Sequence, residues 1–202
     1  MIRAEEAVEA ADLRPTGLSR AGAIAGSLVV AILLMGAVGL AVALPGLGLR
    51  NWLVVLFQLN SGVGSVSLDS LRVFNPLDVA ALVLVGVTFL GLGPTLVRVN
   101  RIWTGIAVAL PFVGIAVLLA TNLAGRSSVM AAGLVIAFLM LKSRAFKSLG
   151  YLGILANGLL LVGDFATGGS RAPVVAAVVG AGYVLLVVWF VWIVARLLGW
   201  RR

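Results

Sequence analysis

Long apolar runs separated by short polar breaks dominate the chain, and they set the elements it predicts. Six runs stand out, over residues 21–44, 77–97, 102–123, 127–141, 149–165 and 173–198. A helix that crosses a bilayer needs about 20 mostly apolar residues at 1.5 Å rise each. The first, second, third and sixth runs meet that length; the fourth and fifth are short and are expected to recruit flanking residues. The pattern therefore predicts an all-α fold, an integral membrane bundle of six transmembrane helices. Residues 1–20 form an N-terminal arm, residues 21–200 one transmembrane domain, and residues 45–76 an outer loop. Within that loop the apolar stretch 51–59 is too short to cross and reads as a re-entrant or interfacial piece; a crossing there would raise the count to seven.

Basic residues orient the bundle. With the N-terminus inside, the cytoplasmic side holds Arg3, Arg14, Arg20, Arg98, Arg101, Lys142, Arg144, Lys147, Arg196, Arg201 and Arg202, and the outer side holds Arg50, Arg72, Arg126 and Arg171. The excess of Lys and Arg marks the cytoplasmic side, so both termini are expected there. Trp103, Tyr151 and Trp200 fall near the same interface, where amphipathic rings settle. The arm over residues 1–13 is acidic (Glu5, Glu6, Glu9, Asp12), and Pro15 and Gly17 end it. It does not read as a cleaved signal, because the apolar run after Arg20 is longer than the roughly 7–15 residues of a signal core.

Composition agrees with lipid as the main solvent. Of the residues 62% are hydrophobic and only 11% charged, against about 25% charged in a soluble domain. The net charge of +8 suits the cytoplasmic rim of a membrane protein, so no nucleic-acid partner is expected. The chain has no cysteine and no histidine, which excludes disulfides, thiolate nucleophiles, imidazole bases and the usual zinc sites. No cofactor or metal is expected. The preponderance of Arg over Lys, with abundant Ala, Gly, Val and Leu, is the bias of a high-GC bacterial genome.

Few polar residues interrupt the spans. Asp78, in Asn75-Pro76-Leu77-Asp78, reads as a helix start, with Asn75 as cap and the carboxylate near the free amides. The breaks 142–147 centre a hairpin near residue 145, with Arg126 and Asp164 equally far on either side. An antiparallel pair of helices then brings both to one depth near the outer interface and predicts an Arg126–Asp164 ion pair, tolerable there if paired or snorkelling. The alternatives are that both point to outer water, or that they form a substrate or proton site. Asn157 lies mid-span, two turns before Asp164 on the same face. An amide there must find a partner inside the bundle, either as glue between helices or as part of a polar stripe lining a cavity. Thr88 and Thr104 can bond their own helix backbone. Pro111 should kink the third span, and Gly22 with Gly26 permits close helix approach.

Catalytic motifs are missing. Serine–histidine and metalloprotease chemistry needs histidine, paired aspartates for intramembrane cleavage have no second inner acid beside Asp164, and Gly46-Leu47-Gly48 lacks the remainder of a phosphate loop. The stretch 129–165, with a helix, the basic turn KSRAF and the glycine-rich helix GYLGILANGLLL, resembles uncharacterised small multi-pass membrane proteins of bacteria, of the domain-of-unknown-function type. That resemblance implies a compact helical bundle in the bacterial inner (plasma) membrane and supplies no activity. Three functions follow as expectations. The first is a non-enzymatic membrane component packing with a partner protein or with itself. The second is a small transporter or binder of a lipophilic or weakly polar ligand, sited between Asn157, Asp164, Arg126 and residues 46–75. The third, an intramembrane enzyme, is disfavoured by the scarcity of acids and bases.

Overall fold

A computed structural model describes residues 17–43, 76–121, 126–143, 146–166 and 173–199. Residues 1–16 of the N-terminal arm, most of the predicted outer loop including residues 51–59 and Asn75, and Trp200 lie outside the described residues, and the rest of the arm opens the first helix. Six helices make up the described chain: α1 (Gly17–Ala43), α2 (Pro76–Leu96), α3 (Arg101–Thr121), α4 (Arg126–Lys142), α5 (Lys147–Ala166) and α6 (Pro173–Leu197). Every boundary falls within four residues of the apolar run that predicts it. The two short runs do recruit their flanks, α4 beginning on Arg126 and α5 on Lys147. By length and composition, three helices are long and apolar enough to cross a membrane, over Gly17–Met35, Val79–Leu96 and Val178–Leu197.

Local chemistry sets the described breaks. Between α2 and α3, the Asn100 carboxamide oxygen accepts from the backbone amides of Ile102 and Trp103, each at 3.1 Å. That is an N-cap, which satisfies donors a helix start leaves open. Between α4 and α5 the chain turns on Ser143 N–H to Met140 C=O at 3.1 Å and Phe146 N–H to Ser143 C=O at 3.2 Å. After α6, Gly199 adopts φ 73°, the left-handed conformation that commonly ends helices and that glycine takes without a Cβ clash. The third helix runs on through Pro111 to Thr121.

Each helix packs on its neighbours in sequence, and α6 returns to pack on α1, so the six close into a ring; α2 and α4 also touch across it. Contacts between neighbouring helices show the up-and-down order. Gly22 of α1 backs on Gly91 of α2, Gly86 of α2 faces the Phe112 ring of α3, Gly153 of α5 faces Ala137 of α4 and Trp189 of α6, and Tyr183 of α6 reaches Leu33 of α1. Inside the ring, Phe89 from α2 meets Trp189 and Phe190 from α6. Phe89 and Phe190 stack at 6.3 Å, and Trp189 stands edge-on to both, at 6.2 and 5.5 Å, within the favourable range for aromatic pairs. Leu92, Leu96, Ile136, Met140, Leu149 and Ile193 fill the space around them.

The outside is equally apolar. Ile24, Met35, Ile102, Phe138 and Val162 are each 60% or more exposed, and exposed large apolar side chains occur on all six helices. A water-soluble monomer rarely shows a contiguous apolar patch beyond a few hundred Å². Apolar surface distributed around a whole ring is what a bilayer solvates.

Candidate functional site

The polar positions singled out above concentrate on the α4–α5 hairpin. Asn157 is 2% exposed, one of three buried polar residues among those described, with Thr88 and Thr104. Its Nδ2 donates to the Gly153 carbonyl one turn back in its own helix, at 2.8 Å. The amide donor is thus satisfied within α5, and what crosses to α4 is packing. The carboxamide fills the notch left by Gly133, where an added Cβ would lie 2.6 Å from the Asn157 Cγ. Such a contact is far inside the roughly 3.5–4.0 Å optimum between carbons, so glycine at 133 and asparagine at 157 depend on one another.

The same contacts fix the register of the hairpin. Gly133 and Asn157, like Ala137 and Gly153, lie at equal distances on either side of position 145. Two turns further along, that register brings the first residue of α4, Arg126, level with Asp164 in the last turn of α5. The side chains of Arg126 and Asp164 lie outside the described residues, as does that of Asp78. The common depth therefore rests on backbone register.

The threonines behave as their chemistry suggests. Thr88 Oγ1 donates to Leu84 C=O at 2.8 Å and Thr104 Oγ1 to Asn100 C=O at 2.7 Å, each a bond to the backbone one turn earlier. Gly22 and Gly26 both lie at helix contacts, Gly22 against Gly91 and Gly26 against the methyls of Thr88 and Val194.

Two features escape sequence reasoning. Tyr183 Oη donates to the Leu33 carbonyl at 2.8 Å, 150 residues away along the chain. It is the side-chain bond that ties the last helix to the first. Its only signal in the sequence is a phenol in an otherwise apolar span. The second is Trp189, fully buried, whose Nε1 has no hydrogen-bond partner. It lies beside Gly153, where a Cβ would come within 2.7 Å of it. An indole N–H in hydrocarbon without an acceptor carries a penalty of about 1–3 kcal/mol. At the opposite end of α6 from its N-terminus, Arg196 stacks over the Phe146 ring with its guanidinium carbon 6.0 Å from the centroid, joining α6 to the α4–α5 turn.

The chain matches no family model, and comparison with curated proteins and with solved structures finds no match.

Proposed function

We propose that the chain is a six-span protein of a bacterial inner membrane, with both termini in the cytoplasm, and that it is a non-enzymatic component packing against a partner protein or a second copy of itself. One observation carries the non-transporting reading. The three buried polar side chains described, Thr88, Thr104 and Asn157, all spend donors on their own helices. A translocation path needs polar groups turned toward a passing solute or its water; these are turned into the backbone. The remaining interior is aromatic and aliphatic. The non-enzymatic reading draws on the residue inventory, which offers no thiol or imidazole and only three acids outside residues 1–16.

A second reading, a binder of a weakly polar ligand, draws on Trp189. Its buried Nε1 is a donor in search of an acceptor, and it sits one turn from Asn157 on the α5–α6 interface.

The absence of cysteine from the sequence makes both readings testable with single introduced thiols. In intact cells, Ser65→Cys and Ser170→Cys should react with a membrane-impermeant maleimide while Ser143→Cys stays protected. Labelling at Ser143→Cys, or protection at Ser170→Cys, would overturn six crossings with cytoplasmic ends. In reconstituted vesicles, Asn157→Cys should resist a small water-soluble methanethiosulfonate. Rapid modification there would sink the packed-core reading and favour the ligand path.

A further inference from the structure

One end of the bundle is a ring of cations. Arg20, Arg98, Arg101, Lys142, Lys147 and Arg196 all lie where α1, α3 and α5 begin and α2, α4 and α6 finish, and all but Arg196 are exposed. These are the only charged residues whose side chains are described, and none is acidic. Helix energetics account for part of the set, since Lys142 and Arg196 lie in the last turns of α4 and α6, where cations are favoured, but not for the rest. Three helices start at this end, and none has an acid in its first turn; α3 and α5 open on Arg101 and Lys147 themselves. A helix start is the positive end of the peptide dipole, where acids stabilise and cations are unfavourable. The cations also repel one another. An anion bound at this end would offset both terms.

We propose that this rim binds the phosphate-bearing headgroups of anionic lipids in the leaflet it faces, with its focus at the corner formed by Arg20, Arg98 and Arg101. The proposal rests on the membrane-spanning reading above. The Gly22–Gly91 contact holds the start of α1 against the end of α2, which carries Arg20 to the α2–α3 turn. Guanidinium groups present flat, two-pronged donors that match phosphate oxygens. Asn100 already accepts from the Ile102 and Trp103 amides, so the side chains, rather than the start of α3, do the binding. Trp103, 52% exposed beside Arg101, places an amphipathic ring at headgroup depth and serves as a reporter.

The test uses the full chain in vesicles of phosphatidylcholine containing either brominated phosphatidylglycerol or brominated phosphatidylcholine. Quenching at Trp103 is taken as the difference between the parent and Trp103→Phe. A surface cation favours an anionic leaflet by about five-fold, so brominated phosphatidylglycerol should quench at least about five-fold more strongly per lipid at low salt. The preference should shrink toward parity at about 0.5 M sodium chloride, where the screening length falls below a headgroup diameter. It should vanish in R20Q/R98Q/R101Q and largely survive in R20K/R98K/R101K. If the neutral variant does not fold, the salt series on the parent and the lysine variant still decide. Equal quenching by the two lipids in the parent would overturn the proposal while leaving the bilayer reading intact, and quenching by neither would overturn the bilayer reading itself. A preference abolished by millimolar inorganic phosphate at constant ionic strength would assign the rim to a free ion instead. A preference that emerges only in E5Q/E6Q/E9Q/D12N would assign it to the chain's own acidic arm.

Discussion

Gly22→Ala tests the closest approach of backbone to backbone among the described helices. A Cβ at position 22 would stand 2.7 Å from the Gly91 Cα, 3.3 Å from the Gly91 nitrogen and 3.3 Å from the Thr88 carbonyl oxygen. All three atoms are backbone, so no rotamer change relieves the clash. Carbon–carbon contact is optimal at about 3.5–4.0 Å, so α1 must withdraw by roughly 1 Å. A gap of that size forfeits a quarter to a half of the attraction of each facing atom pair, itself about 0.1–0.2 kcal/mol. Over roughly 20–30 pairs along the interface the loss comes to about 0.5–3 kcal/mol, which overlaps the roughly 1–3 kcal/mol typical of overpacked cores. Inside a bilayer there is no hydrophobic force between helices to soften it, because lipid tails are as apolar as the side chains they replace. Two other glycines calibrate the effect. At Gly26 an added Cβ would meet side-chain methyls, Val194 Cγ2 at 2.7 Å and Thr88 Cγ2 at 3.2 Å, and a methyl group can rotate away, so Gly26→Ala should lose less. At Gly105 nothing lies within 4 Å, so Gly105→Ala should be neutral or gain up to about 1 kcal/mol from helix propensity. Equilibrium unfolding in mixed micelles with rising dodecyl sulfate should rank the variants Gly105→Ala, Gly26→Ala, Gly22→Ala from most to least stable. If Gly22→Ala unfolds at the same point as Gly105→Ala, the α1–α2 backbone contact is not as described.

Three further outcomes are expected. Tyr183→Phe deletes the bond to the Leu33 carbonyl and should destabilise by about 0.6 kcal/mol, the average for interhelical hydrogen bonds measured in membranes, and by no more than about 1.7 kcal/mol, their maximum; an unchanged unfolding midpoint would mean that packing alone closes the ring. Gly133→Ala should be strongly destabilising in the parent and nearly harmless when combined with Asn157→Ala, because the second change removes the carboxamide the new methyl meets; a double-mutant cycle that adds within about 0.5 kcal/mol would refute their contact. If Arg126 and Asp164 pair at their common depth, Arg126→Gln and Asp164→Asn should each lower stability, and the exchange R126D/D164R should recover most of the loss; equal stability of all four proteins would mean that both residues simply face water.

The helices were legible to within four residues because an apolar run shielded from water permits few solutions. Backbone amides and carbonyls without water to bond must bond within a helix, so an apolar run of sufficient length has one conformation, and α1 through α6 follow their runs. The α4–α5 register was legible for a related reason. A turn as short as 143–146 leaves two helices no freedom but to run antiparallel, and the Gly133–Asn157 contact falls where that symmetry about position 145 requires. The Asn157 hydrogen bond was less so. A buried amide demands a partner, and the demand does not specify whether the partner lies across the interface or one turn back; the rotamer available beside Gly133 decided for Gly153.

By itself, the order of residues determined what a one-dimensional pattern can encode: which segments are helical, how long they are, which end carries the cations, and which polar groups must be satisfied internally. The ring was decided only in three dimensions. That α6 comes back to α1 depends on Tyr183 finding Leu33 and on Gly26 admitting the Val194 side chain, while Gly22 and Gly91 let the backbones of α1 and α2 meet. That Phe89, Trp189 and Phe190 face each other at the centre depends on the rotation of α2 and α6. Helices that are apolar on every face carry no stripe to announce which side turns inward. The choice falls to shape complementarity among side chains far apart in the chain, and shape is a property of the assembled surfaces rather than of any segment.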